Sequence, residues 1–210
     1  MNVARALTLI GAIVLIFLAQ PTLAGPPFLT DDPETVDYQH WEINTYAAGG
    51  QVRSEASGVA PGADINYGAL PNVQVHINIS MAYDQLSGGP LNYGYGDTEL
   101  GVKYRFINPG EDDWWPQVAV YPLLEVPTGD ASKGLGATGK MREFLPVWLQ
   151  KDFDEWTTYG GGGYWNNPGL GNKNYWFFGG VLQRKTTDSL TARGRIISPN
   201  GRNHHNDSLR

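Results

Sequence analysis

Apolar and polar residues alternate strictly between positions 72 and 83, which read N-V-Q-V-H-I-N-I-S-M-A-Y. Val73, Val75, Ile77, Ile79, Met81 and Tyr83 share one face, and Gln74, His76, Asn78, Ser80 and Ala82 share the other. A period of two predicts a β-strand with one apolar and one polar face. Related patterns predict strands over 40–48, 62–70, 97–106 and 116–126, and less regular runs over 141–150, 156–165 and 174–184. The run over 141–150 is apolar on both faces. Gly and Pro interrupt every window long enough for a helix, and no apolar stripe of 3.6-residue period persists for several turns. The pattern therefore predicts an all-β chain of about eight strands, each near the ~9–11 residues that a tilted strand needs to cross a bilayer.

The connections between these runs mostly alternate in length. Longer ones are expected over 49–61, 84–96, 127–140 and 166–173, and shorter ones over 71–72, 107–115, 151–155 and 185–188. Long loops at one end and short turns at the other are the rhythm of an antiparallel up-and-down transmembrane β-barrel. Such a barrel inverts the faces of a soluble sandwich: apolar residues look out at lipid, and polar residues look into the lumen. The lumen-facing set would be Glu42, Asn44, Gln74, His76, Asn78, Glu99, Lys103, Arg105 and Glu125. Lys103 or Arg105 turned toward lipid at mid-depth would cost ~2–4 kcal/mol. The tryptophans at 41, 114, 115, 148, 156, 165 and 176 fall mostly near strand ends, where interfacial girdles would place them. The alternative is an exported soluble β-sandwich that binds carbohydrate through exposed groups such as Trp165-Asn166-Asn167.

The N-terminus and the composition narrow the setting. Arg5 is the only charge before Asp31, and 7–19 is an apolar run too short for a span. Pro21 and the small residues of Thr22-Leu23-Ala24 complete a signal-peptide pattern, so cleavage after Ala24 and export are expected. An uncleaved anchor helix is the alternative. Residues 25–39 are Pro-rich and acidic and read as an irregular arm, with the barrel over 40–190. The chain of 210 residues holds no cysteine, which excludes disulfides and thiolate metal sites. A net charge of −6 argues against nucleic acid as a partner. The expected partners are outer-membrane lipid, the barrel-assembly machinery and a small-molecule solute.

Several blocks resemble a known family. G-P-P-F-L-T-D-D-P-E (25–34) followed by H-W-E, Y-G-A-L-P-N (67–72), Y-G-D-T-E-L-G-V-K-Y-R-F (95–106), P-T-G-D-A-S-K-G-L-G (127–136) and W-L-Q-K-D-F (148–153) are similar to the meta-pathway phenol-degradation proteins. This proteobacterial outer-membrane family is often described as transporters. The resemblance covers residue 25 to about residue 190, and it implies a β-barrel passing small compounds, hydrophobic or aromatic ones among them. It ends where the family pattern G-E-L-F-H-Q-T-A would follow and this chain reads G-R-I-I-S-P-N-G (194–201). Codons can be chosen that encode one string in one frame and the other in the next. A frameshift near Ala192 is therefore expected, with 191–210 a non-native or disordered tail.

Catalytic chemistry finds little footing. There is no G-x-S-x-G elbow and no thiol nucleophile. His76 and Ser80 share a face but lie about 13 Å apart at the usual strand rise, too far for a hydrogen bond. His204-His205 has no third ligand at a suitable spacing. Asp31-Asp32 with Glu34, and Thr128-Gly129-Asp130, could hold calcium through oxygen ligands, but Asp beside Pro or Gly is ordinary turn chemistry. No cofactor and no enzymatic activity are expected. The run Gly160–Gly163 suggests close backbone approach, by the arm or by a loop.

Overall fold

The computed structural model describes residues 30–197 apart from 111–112, 137–138, 170 and 188–189. The expected signal peptide, the first arm residues 25–29, His204-His205 and the end of the expected tail lie outside the described residues. The described chain is all-β, with a single 3-10 turn, Ala131–Lys133. Its strands are β1 (Trp41–Val52), β2 (Glu55–Leu70), β3 (Val73–Leu86), β4 (Asn92–Tyr95), β5 (Thr98–Ile107), β6 (Gln117–Val120), β7 (Leu123–Val126), β8 (Arg142–Phe153), β9 (Trp156–Asn166), β10 (Tyr175–Thr187) and β11 (Leu190–Ile197).

All strands belong to one antiparallel sheet in the order β1-β2-β3-β5-β6-β8-β9-β10-β11. β4 continues the line of β5 along β3, and β7 continues β6 between β5 and β8. Each of these pairs is thus one interrupted pass. Eight of the nine passes coincide with the expected strands. The ninth, β11, pairs with β10 from Gly179↔Ile197 to Thr187↔Leu190. Residues 191–197, expected as tail, are therefore sheet. Among the described residues no ladder joins β1 to β11.

The strands run past their expected ends. β1 and β2 pair through 49–61, the first expected long loop, up to Val52↔Glu55. Alternation in the side chains marks only the part of a strand with chemically different faces. Backbone pairing needs no such difference and continues through G-G-Q-V and E-A-S-G.

The burial pattern is inverted relative to a soluble sheet. On β3 and β5, Gln74, His76 and Lys103 are 5%, 9% and 4% exposed, whereas Val75, Ile77 and Val102 are 40%, 36% and 44% exposed. β8 alternates without a break: Arg142, Phe144, Pro146, Trp148 and Gln150 are buried, and Glu143, Leu145, Val147 and Leu149 are exposed. Exposed aromatics gather toward strand ends. Trp41 pairs with Tyr67, Trp114 with Trp115, and Trp156 starts β9 at the end with the short turns. Tyr93, Tyr95 and Trp176 lie toward the opposite end. Two tryptophans depart from the girdle expectation. Trp148 is 1% exposed, and Trp165 stacks on Phe144 with ring centroids 4.7 Å apart. Both look inward because β8 and β9 carry apolar residues on both faces, and there periodicity could not choose a side.

Candidate functional site

The inward residues of β1 to β5 converge with the arm on a cavity of about 610 Å³. Register explains the convergence. Glu42 opposes Asn66, Asn44 opposes Asp64, Asn66 opposes His76, and Gln74 opposes Lys103 across three ladders, and directly paired residues share a face. His76 is the hub. Its Nδ1 lies 2.9 Å from both Asp64 Oδ1 and Asn66 Oδ1, and its Nε2 lies 3.1 Å from Glu99 Oε1. Both ring nitrogens donate only in the imidazolium, which is the form that satisfies the two carboxylates. The Gln74 amide donates to Asn66 Oδ1 at 2.7 Å, and the Tyr46 hydroxyl donates to Asn78 Oδ1 at 3.0 Å.

The opposite wall is aromatic. Phe144 and Trp148 from β8, Phe177 from β10 and Tyr121 between β6 and β7 form one buried cluster, flanked by Leu123, Trp165 and Tyr175. Phe144 meets Phe177 edge-on, with centroids 6.0 Å apart. The buried Nε1 of Trp148 has no hydrogen-bond acceptor among the described residues. The cavity thus has one charged, hydrogen-bonding wall and one aromatic wall.

The arm occupies the space between them. Lys103 Nζ bonds Asp31 Oδ2 at 2.9 Å and donates to the Asp32 carbonyl at 3.0 Å. Val36 N–H donates to Gln74 Oε1 at 2.9 Å, and Gln150 Nε2 donates to Glu34 Oε1 at 2.7 Å. Pro33 is fully buried. Of the acids considered as calcium ligands, Asp31 and Glu34 thus anchor the arm to the wall, and the Asp32 carboxylate accepts from Glu34 N–H within the arm at 2.9 Å. In the T-G-D turn, Asp130 caps the 3-10 turn by accepting from Ser132 N–H at 3.1 Å. Two glycines admit the arm. A Cβ on Gly179 would collide with Thr30 Oγ1, and one on Gly68 would collide with the Asp37 carbonyl oxygen. A parallel bridge, Tyr38↔Gly68, secures the end of the arm before β1 starts. The run Gly160–Gly163 serves a different contact: added Cβ atoms there would meet carbonyls of Leu145, Val147, Phe177 and Gly179 on the two neighbouring strands, not the arm.

Seven of the nine expected lumen residues line this cavity: Glu42, Asn44, Gln74, His76, Asn78, Glu99 and Lys103. Arg105 is elsewhere, near the short turns, where its guanidinium donates to Asn72 Oδ1 (3.1 and 2.9 Å) and Gln117 Oε1 (3.1 Å). Glu125 accepts two bonds from Arg142 Nη1 (2.9 and 3.1 Å), beside the Trp165 ring. Asp64 and Asn66, on the polar face of the strand expected over 62–70 but outside the expected lumen set, line the cavity as well. Sequence reasoning had no signal for Phe144, Trp148 and Phe177. No protein-family model matches the chain, and no curated protein matches it.

Proposed function

We propose that this chain is a bacterial outer-membrane β-barrel channel or transporter for small compounds, exported by a cleaved signal peptide and performing no catalysis. The observation that carries the reading is the inversion of burial: a charged and amide-rich face is enclosed, while a continuous band of Val, Ile, Leu and Phe is exposed. A sheet in water hides that band, and a sheet in lipid displays it. Lys103 supports the same side of the argument, because its ammonium lies inside against Asp31. The solute class follows from the two walls. Six carboxylates (Asp31, Asp32, Glu34, Glu42, Asp64 and Glu99) against Lys103 and His76 disfavour small anions. The Phe144–Trp148–Phe177 wall favours small neutral molecules with an aromatic or apolar body. The family resemblance of blocks 95–106 and 127–136 agrees with this class.

Fractionation tests the proposal. The protein is expected in the outer membrane, beginning at Gly25 and shifting in gel mobility when boiled. Release with the periplasmic contents, without heat modification, would favour the carbohydrate-binding sandwich and overturn the barrel.

A further inference from the structure

A second cavity lies in the wall itself. About 420 Å³ in volume, it is lined on the outer face by Leu100, Val102, Pro122, Leu124 and Leu145 together with the exposed Glu143, and it borders the inward residues His76, Gly101 and Leu123. The hydrogen-bond ladder is thin at this place. Val102 N–H donates to the Pro122 carbonyl at 3.2 Å, and Tyr121 N–H donates to the Pro146 carbonyl at 3.3 Å. An antiparallel hydrogen-bonded pair normally exchanges a second bond in return, and proline has no N–H with which to give it. Two adjacent seams, β5 to β6–β7 and β6–β7 to β8, each lack that bond. This is where the pass breaks into β6 and β7 although its register runs on unchanged. On the lumen side Gly101 contributes no side chain, and the tips of Leu123, Tyr121 and His76 fill the place that a Cβ would take.

We infer that this cavity is a lateral portal, binding a small apolar molecule dissolved in the bilayer and passing it between β5 and β7 to the lumen beside His76. The inference rests on the barrel reading above. The volume fits the occupant, since sites for small molecules run from about 300 to 1,000 Å³. A lipid acyl chain would fill the outer groove, but neither the missing seam bond nor the flexible side-chain tips over Gly101, which can shift, would serve it. The aromatic wall of the lumen cavity offers the next apolar surface along that path, because Leu123 packs against the Phe144 cluster.

The test is photolabelling of the full chain in phosphatidylcholine vesicles with an apolar trifluoromethylphenyl diazirine, followed by mass-spectrometric mapping of the adducts. The expected map shows several-fold enrichment on Leu100, Val102, Leu124 and Leu145 over equally exposed outward residues such as Ile77, Phe178 and Leu182, and adducts on His76. In Pro122→Ala, which restores an N–H to the seam, the His76 adducts should be lost while the outer-face labelling stays. Even labelling of all outward apolar residues with none on His76 would overturn the portal and leave the barrel standing. Enrichment obtained only with a diazirine tethered to a phospholipid acyl chain would make the groove a lipid site and also overturn it. Failure to label Ile77, Phe178 and Leu182 at all would instead sink the barrel reading on which the inference rests.

Discussion

At the residue scale, neighbouring side chains on one strand meet opposite environments. Ile77 is exposed on the outer face, and Asn78 faces the cavity, accepting from Tyr46. Ile77→Arg should cost ~2–4 kcal/mol if that face meets lipid near mid-depth. Asn78→Arg should be far milder, because water and Asp64, its cross-strand partner, receive the charge. Urea unfolding in vesicles compares the two, and equal losses would mean packing on both faces. The arm carries a residue-scale pH response. Burial, opposed by the Lys103 ammonium and helped by Asp31 and Glu34, pushes the Asp32 carboxyl up to about 7. A carboxyl with a raised pKa in the docked state favours docking when it is protonated. Its contribution is fully present below the ordinary value of 3.8 and is lost as pH rises through about 7. Protease cleavage within the arm should therefore quicken between pH 6 and pH 8, as an order-of-magnitude window about that pKa. Asp32→Asn should flatten the profile.

At the element scale, the arm is the part of the molecule that fills the cavity. It is held by polar bonds to β3, β5 and β8 and by the steric allowance of Gly179. Gly179→Val should push Thr30 out, speed proteolysis of the arm several-fold and raise single-channel conductance in a planar bilayer. Unchanged conductance would show that the arm is not the barrier. The strands were legible in the sequence wherever the two faces differ chemically. The V-Q-V-H-I-N-I run marks β3 and puts His76 opposite the apolar residues, whereas the choice of outward face rested on Lys103, Arg105 and the rhythm of the loops. Legibility failed at three points for physical reasons. β8 alternates in burial from Arg142 to Gln150, yet Phe144, Trp148 and Leu145 are all apolar, so its pattern of faces was invisible. The hairpin end through 49–61 pairs by backbone alone, which leaves no trace in side-chain period. The arm's course through the cavity depends on contacts such as Gln150 to Glu34, which join residues 116 positions apart.

At the scale of the whole molecule, parity constrains closure. The sheet follows nine passes in sequence, each antiparallel to the next, so β1 and β11 run in the same direction. Joining them directly would require a parallel ladder, weaker per residue than the antiparallel ladders elsewhere in the wall. Leaving them apart exposes two rows of N–H and C=O groups, which lipid cannot satisfy, at several kcal/mol per group. An additional antiparallel strand between them would resolve both problems at once. We therefore expect the two edges of the nine-pass sheet to pair with the edges of a second copy in the membrane rather than with each other. Because the described residues contain no cysteine, cross-linking can read this cleanly. Cysteines introduced together as Asn44→Cys on β1 and Arg193→Cys on β11 should give disulfide-linked dimers and larger species on oxidation, with little cross-linked monomer. A cross-linked monomer as the main product would show that the two edges close on each other, and the parity argument would fail.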